Sequence, residues 1–221
     1  MTTLDELNNA IKILQEANDL EMLGRALHNK GVYLREYGLQ EADEQALADA
    51  RKLFLESAQT SRQSGAEEMA IFSCLNAAIA AQELGEYRED EMLLSTAITE
   101  FQALLDSKDI NNSTRASAYN TLGNALCARA PMYETAEQWS QDIFLAIDVF
   151  KKAIPGFATE GNSEAVNLAR LGAMQAYALM AELMALDSIP RIQGQGMQFY
   201  LQKAGEQKQI LEAISGKPKT Q

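Results

Sequence analysis

An internal repeat of 47 residues limits the fold of this chain more than any other feature of its sequence. Two successive stretches each combine a helical segment, a glycine and a longer helical segment. Four small or aromatic positions of the first stretch recur in the second: Gly31, Gly38, Ala50 and Phe54 correspond to Ala78, Gly85, Ala97 and Phe101. The repeat predicts stacked helical hairpins, because a single hairpin cannot bury its apolar face alone.

The composition and the spacing of apolar residues predict helices throughout the chain. The 221 residues include 34 alanines and only 4 prolines, and apolar side chains recur every three or four positions. We expect Gly38, Gly65 and Gly85 to end helices, and Pro131 to lie in a first helical turn. Nine helices are predicted, at about 3–18, 20–37, 40–64, 66–84, 87–106, 113–130, 131–154, 163–186 and 194–214.

These hairpins resemble those of the tetratricopeptide repeat family. That family has a small residue where two helices cross, here Gly31, Ala78, Gly123 and Gly172. It also has small and aromatic residues in the second helix, here Ala50–Phe54–Ser57, Ala97–Phe101–Leu104 and Ala146–Phe150–Ala153. The resemblance implies an all-α, right-handed solenoid that forms one domain over residues 1–214. Its units would span about 20–65, 66–111, 112–160 and 161–214, after an N-terminal helix at 3–18 and before a disordered tail at 215–221.

The composition excludes several kinds of chemistry. A single histidine, His28, rules out zinc sites that need two or three imidazoles, and we predict neither a metal nor a cofactor. Two cysteines cannot form a disulfide framework and suit a reducing compartment. No secretory signal or membrane-spanning segment is recognisable, so a cytoplasmic location is predicted.

The negative charge of the chain is concentrated in its N-terminal half. Residues 1–106 carry 20 acidic and 8 basic side chains, whereas residues 107–221 carry 11 of each. An acidic surface repels nucleic acid and anionic membranes and favours a basic protein segment as the partner. The alternative is that the acidity only keeps the protein soluble.

The resemblance to tetratricopeptide repeats implies that the chain binds another protein or a peptide in a concave groove, and that it is not an enzyme. We expect polar side chains of the first helices to line this groove: Arg25, His28, Asn29, Arg35, Asn76, Gln82, Asn120, Thr121, Asn124 and Arg170. Our hypothesis is that Asn29, Asn76 and Asn120 form a ladder of amides that pair with the backbone of a bound peptide. Alternatively, these asparagines bond only to neighbouring helices.

Three other functions remain open at this point. The chain is either an adaptor, as favoured here, or an acidic secretion-type chaperone for a basic or aggregation-prone client, or a peptide-sensing regulatory module. An enzyme would need a cluster of acids and bases that the sequence does not reveal. Self-association is also open, because the apolar stripe of the last helix has to be covered.

Overall fold

The computed structural model of the chain describes residues 3–187 and 189–215. These residues form nine α-helices and no β-strand, apart from one isolated bridge between Ile192 and Gln195. The helices are α1 (Leu4–Ala17), α2 (Leu20–Glu41), α3 (Glu44–Ser64), α4 (Glu67–Arg88), α5 (Glu91–Asp106), α6 (Asn112–Arg129), α7 (Ala136–Thr159), α8 (Ser163–Leu186) and α9 (Met197–Ser215). The predicted all-α fold class is confirmed.

The chain divides into two compact units, Met1–Thr114 and Arg115–Gln221, which we call the first and second unit. In the first unit each helix from α1 to α4 packs against the next one, and α2 also contacts α4. In the second unit α7 packs against α8, and α8 against α9. Each unit is thus built from helical hairpins, as the repeat predicts. The division of residues 1–214 into four repeats of one domain remains a prediction, and residues 216–221 of the predicted tail lie outside the described residues.

The turn between the two helices of a hairpin is repeated in detail after 47 residues. Ala42 and Glu89 both adopt the left-handed conformation, with φ angles of 53° and 51°. The next residues, Asp43 and Asp90, both cap the following helix by accepting hydrogen bonds from backbone amides of its first turn. The sequence repeat therefore corresponds to a structural repeat within the first unit.

Two of the three predicted helix ends are wrong. Only Gly65 ends a helix, with a φ of 81°, whereas α2 continues through Gly38 and α4 through Gly85. A Cβ atom on Gly38 would come within 2.9 Å of Leu47, and one on Gly85 within 3.0 Å of Leu94. Glycine is therefore used at these two positions for the close approach of the next helix, while non-glycine residues make the turn.

Close helix crossings are found where the sequence places small residues. The ring of Phe54, which is fully buried, lies where a side chain of Gly31 would be. In the second unit the buried ring of Phe150 lies against both Gly123 on α6 and Gly172 on α8. Each of these rings fills the space beside a glycine where two helices cross. An added Cβ atom at that glycine would overlap the ring.

The helix predicted at 131–154 has different boundaries. Pro131 lies in a short 3₁₀ helix, Ala130–Met132, and α7 begins only after Thr135, whose side chain caps it. At its other end α7 continues through Pro155 to Thr159. Pro155 removes one backbone donor but does not stop the helix, because Phe157 in the following turn is buried against the hydrophobic core.

Candidate functional site

The residues predicted to bind a partner lie on α2, α4, α6 and α8, the first helices of the hairpins. Six of them, including Arg25, belong to α2 and α4 of the first unit, and the other four belong to the second unit. Their side chains differ in exposure and in the bonds that they already make within the fold.

His28 lies in the interior of the first unit and is only 5% exposed. The carbonyl oxygen of Gly24 can only accept, so Ser57 Oγ donates its one hydrogen there, at 2.7 Å. Ser57 Oγ then accepts from Ser73 Oγ at 2.9 Å, and Ser73 Oγ accepts from His28 Nδ1 at 3.0 Å. We therefore assign the proton of His28 to Nδ1, at the start of a one-way chain of hydrogen bonds.

Aromatic rings enclose the imidazole of His28. Phe72 stacks on it with a centroid distance of 4.9 Å, and Phe54 lies tilted at 5.1 Å. Burial lowers the pKa of His28 below its usual 6.5, so the imidazole is neutral at pH 7. The groups of His28 are used inside the fold, and we leave this residue out of the binding surface.

The two predicted arginines of α2 already form ion pairs. Arg25 donates to Glu21 one turn away, at 3.2 Å, and both side chains are exposed. Arg35 donates through both Nε and Nη2 to the carboxylate of Glu83 on α4, where both side chains are partly buried. Arg35 therefore links two neighbouring hairpins.

The other arginines of the first unit are engaged in the same way. Arg51 donates to both carboxylate oxygens of Glu100, at 2.9 and 2.8 Å. Arg88 pairs with Glu44 at 2.6 Å, and the guanidinium of Arg62 lies 3.8 Å from a carboxylate oxygen of Glu67. All arginines in the described part of the first unit thus have a carboxylate partner of their own chain.

Asn29 lines an open cleft of about 570 Å³ along one face of α2, next to α1. We call it the α2 cleft; it is lined by Leu7, Asn29, Val32, Tyr33, Glu36, Tyr37 and Gln40. Its five polar side chains, including both tyrosines, make no hydrogen bond or ion pair to any described residue. The polar side chains of the α2 cleft differ in this respect from the arginines of the same helix, which are already paired with carboxylates.

The predicted residues of α4 are partly satisfied within their own helix. Asn76 donates to the carbonyl of Phe72, one turn earlier, at 3.0 Å. Gln82 is 7% exposed and donates to Glu86 at 2.8 Å, while its amide oxygen is buried without a donor among the described residues. Partial burial raises the pKa of Glu86, and this hydrogen bond from Gln82 opposes the shift.

In the second unit the predicted residues are half-buried. Thr121 donates to the carbonyl of Ser117 on its own helix, at 2.9 Å. The side-chain oxygen of Asn120 and the Nε of Arg170 are buried without a partner among the residues described. Arg170 also donates to Gln207 on α9 at 3.5 Å, a long and weak hydrogen bond. Asn124 is half-buried as well.

Two further clefts lie in the first unit. One, of about 720 Å³, opens at the first turn of α4 and includes Arg25, but Glu67 and Glu68 also line it. The other is smaller, about 260 Å³, and contains Cys74, whose sulfur accepts a hydrogen bond from Arg62 at 3.2 Å. Neither cleft has a set of polar side chains left unpaired as the α2 cleft has.

The described residues offer neither a cluster of metal ligands nor a membrane-spanning helix. Over residues 3–187 and 189–215, no three His, Cys, Asp or Glu side chains are grouped so as to hold a metal ion. None of the helices in that part of the chain has the length and hydropathy that crossing a membrane requires.

The residues of the α2 cleft other than Asn29 were missed from the sequence. Tyr33, Glu36, Tyr37 and Gln40 follow each other at helical spacing, so they form one face. That spacing indicates a common face of α2, but the helix was predicted to end at Gly38, so Gln40 lay outside it and the predicted face was shorter than the real one. Two tyrosines and a glutamate on one face of a helix, without core residues among them, indicate a solvent-facing surface.

No protein-family model matches the chain, and no curated protein sequence matches it either. Among solved structures the chain is similar to a de novo designed helical repeat protein, with 18% sequence identity and a TM-score of 0.46. The similarity covers 88% of this chain and 92% of the designed one. Any functional conclusion therefore depends on the side chains of this protein itself.

Proposed function

We propose that the chain is a non-enzymatic protein-interaction module, an adaptor or scaffold that binds a segment of a partner protein along the first helices of its tetratricopeptide-like hairpins. The observation that carries this proposal is the α2 cleft, an open surface whose five polar side chains are unpaired among the described residues. Groups held in place on a helix bind a ligand at a small entropic cost, because they are already ordered.

The chemistry of the cleft suits an extended or helical peptide. The amides of Asn29 and Gln40 offer both donors and acceptors to a peptide backbone. Tyr33 and Tyr37 add large and fairly rigid contact areas, which is typical of protein-binding surfaces. Neither Cys74 nor Cys127 forms a disulfide, which favours a reducing compartment, and we propose that the module acts in the cytoplasm.

Further contacts are proposed on the other first helices. Asn76 keeps its side-chain oxygen available, and Asn120, Asn124 and Arg170 are half-buried polar groups of the second unit. None of the three asparagines of the proposed ladder bonds to a neighbouring helix among the described residues. The ladder of Asn29, Asn76 and Asn120 therefore stays part of the proposal.

The test begins with affinity capture from native lysate and light scattering of the purified complex. The bound segment is then mapped with overlapping peptides, and its affinity is measured by calorimetry. We expect Asn29→Ala to raise the Kd about two- to tenfold, since one peptide hydrogen bond is lost. Gln59→Ala removes an exposed amide from α3, outside the cleft, and serves as the matched control.

Two results would overturn the proposal. One is a protein that captures no partner and binds no peptide at millimolar concentration. The other is a partner whose affinity does not change in the triple variant Asn29→Ala, Asn76→Ala, Asn120→Ala, which would defeat the ladder. A partner that loses affinity equally with Gln59→Ala would place the binding surface elsewhere and count against the α2 cleft.

A further inference from the structure

We infer that the α2 cleft is a subsite for the side chain of an arginine or lysine in a basic partner segment. The inference rests on the proposed function, because it names the chemistry of the segment that the module would bind. It depends on three observations: the aromatic and acidic residues of the cleft, the pairing of the arginines around it, and the uneven charge of the two units.

The first observation is the arrangement of Tyr33, Glu36 and Tyr37. Their spacing of three and four residues places them as neighbours on one face of α2. The tyrosines are 36% and 45% exposed, so their rings are open to a ligand. A cation over a tyrosine ring is attracted by its π electrons, and a carboxylate beside it supplies the opposite charge.

The second observation is that Glu36 makes no ion pair with any residue of the described chain. Arg25 and Arg35 lie on the same helix, but they are paired with Glu21 and Glu83. No arginine of the first unit therefore neutralises the carboxylate in the cleft. An external guanidinium or ammonium group would meet a negative charge that is still uncompensated.

The third observation is the charge of the unit that contains the cleft. Residues 1–114 carry 21 acidic and 9 basic side chains, a net charge of −12, whereas residues 115–221 carry 10 of each. The whole negative excess thus belongs to the first unit. Such a field attracts a basic segment from a distance, and the cleft gives it a specific place to bind.

The dimensions of the cleft limit the length of the segment. From Asn29 to Gln40 the helix advances by about 16 Å, which matches about five residues of extended peptide. Asn29 and Gln40 would pair with its backbone near the two ends, and the cationic side chain would lie between them, over Tyr37 and next to Glu36.

The experiment uses the full-length, ¹⁵N-labelled protein and three acetylated, amidated peptides: hexa-arginine, hexa-lysine and hexa-citrulline. Citrulline has the shape of arginine without its charge. We expect the two cationic peptides to shift backbone resonances of residues 29–40, and the citrulline peptide to shift none of them. Binding should weaken as the salt concentration rises, because the attraction is partly electrostatic.

Four variants separate this site from a general attraction to acidic protein. Glu36→Gln and Tyr37→Leu should each raise the Kd of hexa-arginine about two- to fivefold, whereas Tyr37→Phe, which keeps the ring, should leave it unchanged. Glu56→Gln is the matched control, since Glu56 is an exposed carboxylate on α3 without an ion pair among the described residues. All three positions are exposed, and thermal melting verifies that each variant folds.

Several results would overturn the inference. These are shifts spread evenly over the acidic surface, an equal effect of Glu56→Gln, or equal binding of the citrulline peptide. A protein that dimerises and becomes monomeric with Tyr37→Leu would assign the cleft to a second copy of the chain instead. If a captured partner still binds in an Asn29-dependent manner while hexa-arginine does not, the proposed function stands and only this inference fails.

Discussion

The Nδ1 of His28 on α2 lies 3.0 Å from the Oγ of Ser73 on α4, and this hydrogen bond joins two neighbouring hairpins inside the first unit. It begins a chain of hydrogen bonds that runs through Ser57 to the carbonyl of Gly24. The last acceptor cannot donate, so every hydrogen in the chain has a fixed direction. A histidine predicted to face a partner is thus a structural element of the core.

Stability should therefore depend on the protonation of His28. Burial lowers the pKa of His28 in the folded protein, whereas the unfolded chain titrates near 6.5. Above that pH both states are neutral. Below it the unfolded state takes up a proton that the folded state disfavours, so stability falls as the pH falls, by at most about 1.4 kcal/mol per pH unit.

The variant His28→Gln tests this dependence, because an amide can donate to Ser73 and does not titrate. Urea unfolding at a series of pH values below and above 6.5 gives the difference in stability between the two proteins. The difference should change as the pH falls below that value, and other titrating groups cancel in it. A difference that is constant over this range would contradict the prediction.

Ser57→Ala should destabilise the first unit. Ser57 is fully buried, and its loss removes the hydroxyl that donates to the carbonyl of Gly24 and accepts from Ser73. We expect a cost of about 1–3 kcal/mol in urea unfolding. Ser64→Ala, which removes a partly buried hydroxyl bond of an exposed residue at the end of α3, should cost less. Equal effects of the two variants would mean that the buried chain is not a distinct source of stability.

Gly172→Ala should destabilise the second unit, because the new Cβ atom would overlap the ring of Phe150. We expect a loss of about 1–3 kcal/mol. The control is Gly205→Ala in α9, where no atom lies within 4 Å of an added Cβ. That variant should gain about 0.5–1 kcal/mol from its higher helix propensity. Fluorescence of Trp139, the single tryptophan, reports on this unit in both variants.

The ion pair between Arg129 and Asp142 should be sensitive to loss of one partner. Both side chains are largely buried, and the guanidinium donates twice to the carboxylate at 2.8 Å. Arg129→Met should cost about 3–5 kcal/mol, because a buried carboxylate is left without its cation. Adding Asp142→Leu should recover part of this loss. The exposed pair of Arg88 and Glu44 should cost less than about 1 kcal/mol when broken.

The sequence predicted the fold well because its main signals are local. The helix periodicity and the alanine content both act within one helix. The errors arose at positions where packing between helices, and not the local sequence, determines where a helix ends. Gly38 and Gly85 satisfy the requirements of a helix end in the sequence, but each one is needed for contact with the first turn of the next helix.

The candidate site was predicted less well, for a physical reason. Whether a polar side chain is available to a ligand depends on what it already binds, and Arg35 and His28 are bound to residues 48 and 45 positions away. No pattern within one helix reveals such a partner. Asn29 lines an open cleft, and its role in binding a partner stays a prediction, whereas Tyr33 and Tyr37 beside it were not among the predicted residues.

In the described part of the first unit, side-chain bonds between hairpins join neighbouring hairpins, and this has a consequence for how the array gains and loses structure. Contacts between nearest neighbours allow it to grow hairpin by hairpin and to unravel from its ends. The α2 cleft is lined by residues of both α1 and α2. A segment bound there would contact both helices, and its affinity would include the work of holding α1 against α2. The separations are 44, 45, 48 and 49 residues for Glu44–Arg88, His28–Ser73, Arg35–Glu83 and Arg51–Glu100.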